Sequence, residues 1–341
     1  MKPAIEIGLN AVIVAVTEEQ PRLLVVHRTD SPTVGISSGL ALPSGPLDPE
    51  RDRTLELALG AWVQGQTGVE LGYVEQLYTF GNRFRDPRER AGGARVLSIA
   101  YLALVREAPL DPMSGAGGAA PSWANCYDFL PWEDWRAGRP WVLEREIAPE
   151  LERWVRAGAD RSTMRSRRER ADICFGQGGA PWNGERVLER FELLYEVGLV
   201  AEAFRDGPRD VIPDRAQEDP GRRLGRPLAL DHRRILASAL GRLRGKLRYR
   251  PVVFELLRST FTLLKLQRTV EALAGVRLHK QNFRRLVEQG GLVEGTGRLE
   301  AGTGGRPAEL FRFRREVLRE RPAAGVGLPG LPGLQTPRGG S

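Results

Sequence analysis

The chain has 341 residues, 41% of them hydrophobic, enough for two globular domains with cores of their own. Its two cysteines, Cys126 and Cys174, lie far apart without CxxC spacing, which excludes a disulfide framework and a zinc module. The net charge of +8 is unevenly placed: residues 231–320 hold 20 Lys/Arg against 9 Asp/Glu, and the rest of the chain holds 31 against 34. A segregated positive field of that kind suits a polyanion, usually nucleic acid.

The N-terminus, "MKPAIEIGLNAVIVAV", lacks the charged start and small-residue cleavage site of a signal peptide, and no apolar run reaches about 18 residues. A soluble cytoplasmic protein without membrane contact is expected. Residues 5–16 and 22–27 flank the turn-like "TEEQP" and predict a hairpin. In "RTLELALGAWVQGQTG", Leu55, Leu59, Trp62 and Val63 fall at helical spacing and Gly68 stops the helix. "YVEQLYTFG" and "ARVLSIAYLALVRE" predict strands, while "DPMSGAGGAAPS" at 111–122 predicts a flexible loop. An α+β domain over 1–150 accounts for these elements.

A helical middle segment is expected over 151–227. It contains the basic run "RWVRAGADRSTMRSRRER" and a helix placing Val187, Phe191, Leu194 and Tyr195 on one side. Its helices either cover the first domain or pair two subunits. Residues 205–227 have linker composition, and 321–341, almost all Gly, Pro and small residues, predict a disordered tail.

From 228 to 320 the periodicity is cleaner. Leu236, Leu240, Leu243 and Leu247 form one stripe, and Pro251 opens a short helix. Thr262 caps a helix whose Leu263, Leu266, Val270 and Leu273 face inward and which Gly275 ends. "HKQNFRRLVEQGG" buries Phe283, Leu286 and Val287, and two short strands follow around the tip "EAGTGGRPA". These elements predict a winged helix-turn-helix. Burying Phe283 turns Lys280, Gln281, Arg284 and Arg285 outward together. Gln and Arg can form paired hydrogen bonds to adenine and guanine edges, and Lys280 suits a phosphate. At the wing, Gly304 and Gly305 let the backbone approach DNA and Pro307 sets Arg306 toward the backbone or minor groove, with Arg298 a weaker candidate.

On "LYTFGNRFRDPRERAGGARVLSIAYLALV", "KQNFRRLVEQGGLVE" and "GGRPAELFRF", the chain resembles the Nudix-related transcriptional regulators of NAD metabolism, the NrtR/NadQ-like group. The resemblance implies a Nudix-like mixed-sheet domain joined to a C-terminal winged helix-turn-helix, and a homodimer on near-palindromic, double-stranded operator DNA at NAD biosynthesis genes. It also implies an NAD-related or adenine nucleotide effector, with Arg28, Phe80, Arg83, Arg85 and Asp86 as the residues carried over. Arg85 and Asp86 could instead pair with each other.

A Nudix box holds Mg²⁺ on glutamates. Aligned on Gly68 and Val69, the box places Ala61 and Trp62 where its Arg-Glu belongs, and Gly65 and Gln66 where its Glu-Glu belongs. No metal, cofactor or hydrolysis is therefore expected. Gln64 or Gln66 can still hydrogen-bond a phosphate oxygen, which would make the helix a wall of a sensing site rather than only a fold element. The expected function is a repressor with a catalytically silent sensor. Its rivals are an active hydrolase of ADP-ribose-type nucleotides using displaced acids such as Glu50 and Glu56, and a protein-binding adaptor.

Overall fold

The computed structural model describes residues 5–27, 39–83, 85–90, 92–110, 120–206, 224–300, 307–320 and 325–326. Its strands are β1 (Ile5–Thr17), β2 (Gln20–His27), β3 (Leu40–Ala41), β4 (Ser44–Pro46), β5 (Tyr73–Phe80), β6 (Arg95–Leu104), β7 (Pro121–Asn125), β8 (Val293–Glu300) and β9 (Ala308–Phe313). Its α-helices are α1 (Leu55–Thr67), α2 (Pro87–Arg90), α3 (Cys126–Phe129), α4 (Ala148–Arg156), α5 (Arg161–Phe175), α6 (Val187–Glu196), α7 (Ala201–Asp206), α8 (His232–Tyr249), α9 (Leu263–Ala274), α10 (Lys280–Gln289) and α11 (Val317–Glu320). The chain forms two compact units, one from residues 1–132 and 194–239, the other from 133–193 and 240–341.

The first unit is built on a mixed sheet. Glu18 and Glu19 both take positive φ, 50° and 61°, giving the mirror-image turn that matches strand twist and closes β1 onto β2. Strand order is β3-β2-β1-β6-β5, with β4 also paired to β1 and β7 to β2. β1 runs parallel to β6 from Ile5↔Arg95 to Val14↔Leu104, and β5 runs antiparallel to β6. Helix α1 begins where the Thr54 side chain accepts from the Leu57 N–H and ends at Gly68, whose φ of 71° suits a residue without Cβ. Its buried Ala58, Leu59 and Val63 pack on Leu9, Ala11, Ile13, Tyr101 and Ala103 of the sheet. Burying a leucine such as Leu59 contributes about 1.5–3 kcal/mol.

The second unit holds the basic hairpin of α4 and α5 and the C-terminal helices. Three cations of the hairpin are neutralised locally, Arg153 by Glu150 and Arg156 and Arg168 by a shared Glu152, while Arg167 donates to the Trp154 carbonyl. Glu133 is fully buried and receives Arg190 at 2.6 and 2.9 Å, together with Arg244. Arg190 also lies 3.9 Å from the Trp182 ring centroid. Burial by itself would raise Glu133, but the two guanidiniums outweigh it and hold its carboxyl below the ordinary value. Leu240, Leu243 and Leu247 of α8, with Leu266, Val270 and Leu273 of α9, are buried here. Phe254 stacks on Phe313 at 4.3 Å, and Phe261 bridges to Phe311, adding a third position to the β8–β9 ribbon.

Several expectations change. The 150 boundary falls inside α4, and residues 133–193 join the second unit because the Glu133–Arg190–Arg244 cluster binds them there. Residues 224–239 join the first unit, where Asp231 pairs with Arg85. The 111–122 loop ends early, since Pro121 and Ser122 pair with Val26 and Val25. In the tail expected to be disordered, Val326 is buried and donates to the Leu247 carbonyl at 2.9 Å. Leu286, expected to be buried, is half-buried, and Trp62 is more than a third exposed. No helix among the described residues is long and apolar enough to cross a membrane.

Candidate nucleic-acid interface and nucleotide site

The turn between α9 and α10 is fixed by one buried carboxylate. α9 stops at Gly275, whose φ of 72° turns the chain back. Glu271 accepts from the Leu278 backbone N–H at 2.9 Å, from Gln267 at 2.8 Å, from Arg268 at 2.9 Å and from Arg277 at 2.8 Å. Gln267 also donates to the Leu278 carbonyl, so both backbone polar groups of Leu278 are held. Burial pushes Glu271 up; the Leu278 amide and the Arg277, Gln267 and Arg268 side chains overcome it and keep the carboxyl below its usual range.

The next helix is thereby aimed. Phe283 and Val287 of α10 are buried, and Lys280, Gln281, Arg284 and Arg285 are exposed on the other side. None of these four side chains has an ion-pair or hydrogen-bond partner among the described residues. The surrounding arginines differ: Arg277 is held by Glu271, Arg312 by Glu294 and Arg314 by Glu320. Arg298, on the exposed part of β8, is also unpaired among the described residues. Arg306, with Gly304 and Gly305, lies outside the described residues.

In the first unit, α1 faces the loop of β4. The Trp62 indole covers Gly45 so closely that a Cβ there would collide with the ring, and its Nε1 donates to the Pro46 carbonyl at 2.9 Å. Gln66 closes the other end: Ser44 N–H donates to its Oε1 at 3.0 Å and its Nε2 donates to the Ser44 carbonyl at 2.7 Å. The two residues that stand at glutamate positions of a Nudix box therefore tie the helix to the loop. Trp62, Gly65 and Gln66 offer no carboxylate, so the residues present do not fit Mg²⁺. Among the described residues, no three His, Cys, Asp or Glu side chains group as metal ligands. Glu50 and Glu56 are both exposed.

The carried-over nucleotide residues are distributed unevenly. Phe80 is buried edge-on to Tyr78 at 5.1 Å. Arg83 is exposed, 3.9 Å from Glu89. Asp86 binds Arg88, not Arg85, and accepts the Arg88 backbone N–H at 2.9 Å. Burial raises Asp86 while the Arg88 contacts lower it further, leaving it below its ordinary value. Arg85 is buried: its Nε donates to Asp231 at 2.9 Å, its Nη2 to the second Asp231 oxygen, and its Nη1 to Ser98 at 2.5 Å. Arg28 lies outside the described residues. The structure thus brings Arg85 to Ser98 and Asp231, and Gln66 to Ser44. Asp231, Ser98 and Glu271 carry contacts that no local motif announced; only the acid immediately ahead of "HRRIL" marked Asp231 as a helix-start residue.

The family model of the NrtR DNA-binding winged helix domain matches residues 253–313. That NrtR-type segment contains α9, its Glu271 turn, α10 and the β8–β9 ribbon. The "ADPR responsive transcriptional repressor NtrR" of Acinetobacter baylyi is 41% identical over 86 residues, 25% of this chain and 34% of that protein, so the match spans about a third of the relative. Over the whole chain, the crystal structure of Shewanella oneidensis NrtR complexed with a 27mer DNA aligns with a TM-score of 0.52 at 22% identity, covering 92% of this chain and 95% of that one. A MutT/nudix family protein from Enterococcus faecalis aligns with a TM-score of 0.50 at 18% identity, covering 92% and 87%. The fold is therefore α+β, a Nudix-like unit together with an NrtR-type winged helix.

Proposed function

We propose that this protein is a DNA-binding transcriptional repressor of NAD biosynthesis genes, with a Nudix-like domain that senses ADP-ribose or a related adenine nucleotide without hydrolysing it. The observation carrying this reading is the outward face of α10, where Lys280, Gln281, Arg284 and Arg285 stand together unpaired on a helix aimed by the Glu271 clamp. Gln281, Arg284 and Arg285 read base edges in the major groove, and Lys280, with Arg306 of the wing, holds phosphates. The NrtR winged-helix match and the name of the Acinetobacter relative support it.

For the sensor, Arg28 and Arg83 supply phosphate contacts, while the buried Phe80 and Arg85, Asp86 and Gln66, each held by protein partners, form the wall behind them. Catalytic silence follows from the side chains of α1: the Trp62 indole has no ligating oxygen, and the Gln66 amide, uncharged and already bonded through both of its polar atoms to the Ser44 backbone, can neither balance a divalent charge nor act as a base toward water. Two chains act as a homodimer in the cytoplasm, because one winged helix offers few base contacts and a two-fold protein matches a two-fold operator. A nucleotide alters operator affinity only through unequal interaction with the binding and non-binding states.

The test is a mobility shift on promoter duplexes of NAD biosynthesis genes, with and without ADP-ribose. A sequence-preferring, salt-sensitive complex that ADP-ribose alters supports the proposal. Absence of any preferred duplex, or turnover of ADP-ribose with Mg²⁺, contradicts it.

A further inference from the structure

The turn ahead of α10 is held from two sides. Glu271 fixes its far side at Leu278, and its near side, the C-terminal end of α9, is held by residues outside the matched winged-helix segment. The last carbonyls of a helix have no partner within it, and the ones at this end find theirs elsewhere in the second unit. Arg244 of α8 donates from Nε to the Leu273 carbonyl at 3.2 Å, and the Trp135 backbone N–H donates to the Gly275 carbonyl at 2.7 Å.

Both donors are anchored at one buried acid. Glu133 takes Arg244 Nη1 on its carboxylate and Arg244 Nη2 on its own backbone carbonyl at 2.9 Å, and Nη1 also reaches the Gly184 carbonyl at 3.0 Å. Trp135 follows two residues later, its ring 4.5 Å from that of Trp182, over which Arg190 lies. A planar guanidinium that is buried with all three nitrogens engaged acts as a strut, not a tether. Arg190 differs in one respect. It shares Glu133 and is as deeply buried, but its remaining donations go to the Cys174 and Asn183 carbonyls, and among the described residues none goes to α9.

Base readout depends on aim. Paired hydrogen bonds to a base edge need side chains held within about 0.5 Å and 10–20° of the productive geometry, whereas attraction to phosphates survives larger displacements. We propose that Arg244 is a positioning residue for DNA recognition: held by Glu133, it sets with the Trp135 backbone the end of α9 from which α10 departs, and so the angle at which Arg284 and Arg285 meet the major groove. This role rests on the reading of α10 given above and places determinants of sequence preference in two segments beyond the winged helix.

The experiment uses the full chain and measures, by fluorescence anisotropy, affinity for a promoter duplex that the wild type prefers and for a scrambled duplex, in wild type, Arg244→Met and Arg190→Met. Methionine keeps an apolar stem in place and leaves Glu133 paired with the remaining arginine in either variant. The expected result is that Arg244→Met lowers the ratio of the two affinities by about tenfold, through weaker binding of the preferred duplex, while Arg190→Met keeps the ratio. An unchanged ratio in folded Arg244→Met overturns the positioning role. So does an equal fall in Arg190→Met, since a looser fold would then account for both. No duplex preferred by the wild type overturns the reading of α10 itself, and the positioning role with it. Should Arg244→Met fail to fold, Arg244→Lys takes its place: it keeps the charge beside Glu133 but has no N–H at the Nε position that serves Leu273, and the same outcomes decide.

Discussion

Glu271 accepts the Leu278 backbone N–H at 2.9 Å, so the carboxylate at the end of α9 holds the first turn ahead of α10. The two residues lie on either side of the Gly275 turn, and Arg268, Arg277 and Gln267 share the same carboxylate. Removing it by Glu271→Ala leaves the Leu278 amide and Arg277 without their acceptor. The expected loss of stability is about 1–3 kcal/mol, the cost of leaving the Leu278 N–H without an acceptor, since Arg268 and Arg277 are exposed enough to turn to water. Urea unfolding measures it. Unchanged stability would show that the turn is held by the backbone alone.

The same carboxylate sets a pH dependence. Its folded pKa lies below the ordinary value, so its stabilisation is fully present above the unfolded value of about 4.3 and is lost as pH falls through the folded pKa. Glu133, lowered by Arg190 and Arg244 against its burial, has the same sign. Stability measured from pH 7 down to pH 3 should therefore fall below about pH 5. In Glu271→Gln the fall should be shallower. An identical slope in both proteins would contradict the assignment.

Gly45 and Trp62 should behave as a unit. Gly45→Ala forces the indole out of its place and should destabilise by about 1–3 kcal/mol, the usual range for overpacking. Adding Trp62→Ala should relieve most of that cost. Additive losses in thermal unfolding of the double variant would show that the ring does not limit the site.

On α10, Arg284→Ala and Arg285→Ala should each weaken binding to the preferred duplex by about 1–3 kcal/mol and relax the preference at one position. Lys280→Ala should weaken all duplexes alike and lower the salt slope by about 1. Competition assays at several salt concentrations separate the two classes.

Much of this architecture was legible because its signals are local. Thr262 and Gly275 bracket α9 by their own cap and stop chemistry, and Phe283 and Val287 fix the face of α10 by spacing alone. The β1–β2 hairpin was readable from the turn cluster, and α1 from Thr67-Gly68 and its leucines. The seat of Trp62 was not legible from helical spacing, because the space its indole fills is the missing side chain of Gly45, 17 positions earlier. Residues 133–193 could not be allotted from composition, since the cluster that allots them joins Glu133 to Arg244 across 111 positions. Arg85 suggested a phosphate ligand by type, but its partner Asp231 is 146 positions away. Buried ion pairs of that separation leave no periodic trace.

The central claim is that α10 reads a duplex. Fluorescence anisotropy of a labelled promoter fragment, compared between wild type and Arg284→Ala/Arg285→Ala, tests it most directly. The account predicts that the variant keeps its fold and its salt-dependent, sequence-independent affinity but loses preference for the cognate fragment. Equal preference in both proteins would contradict it.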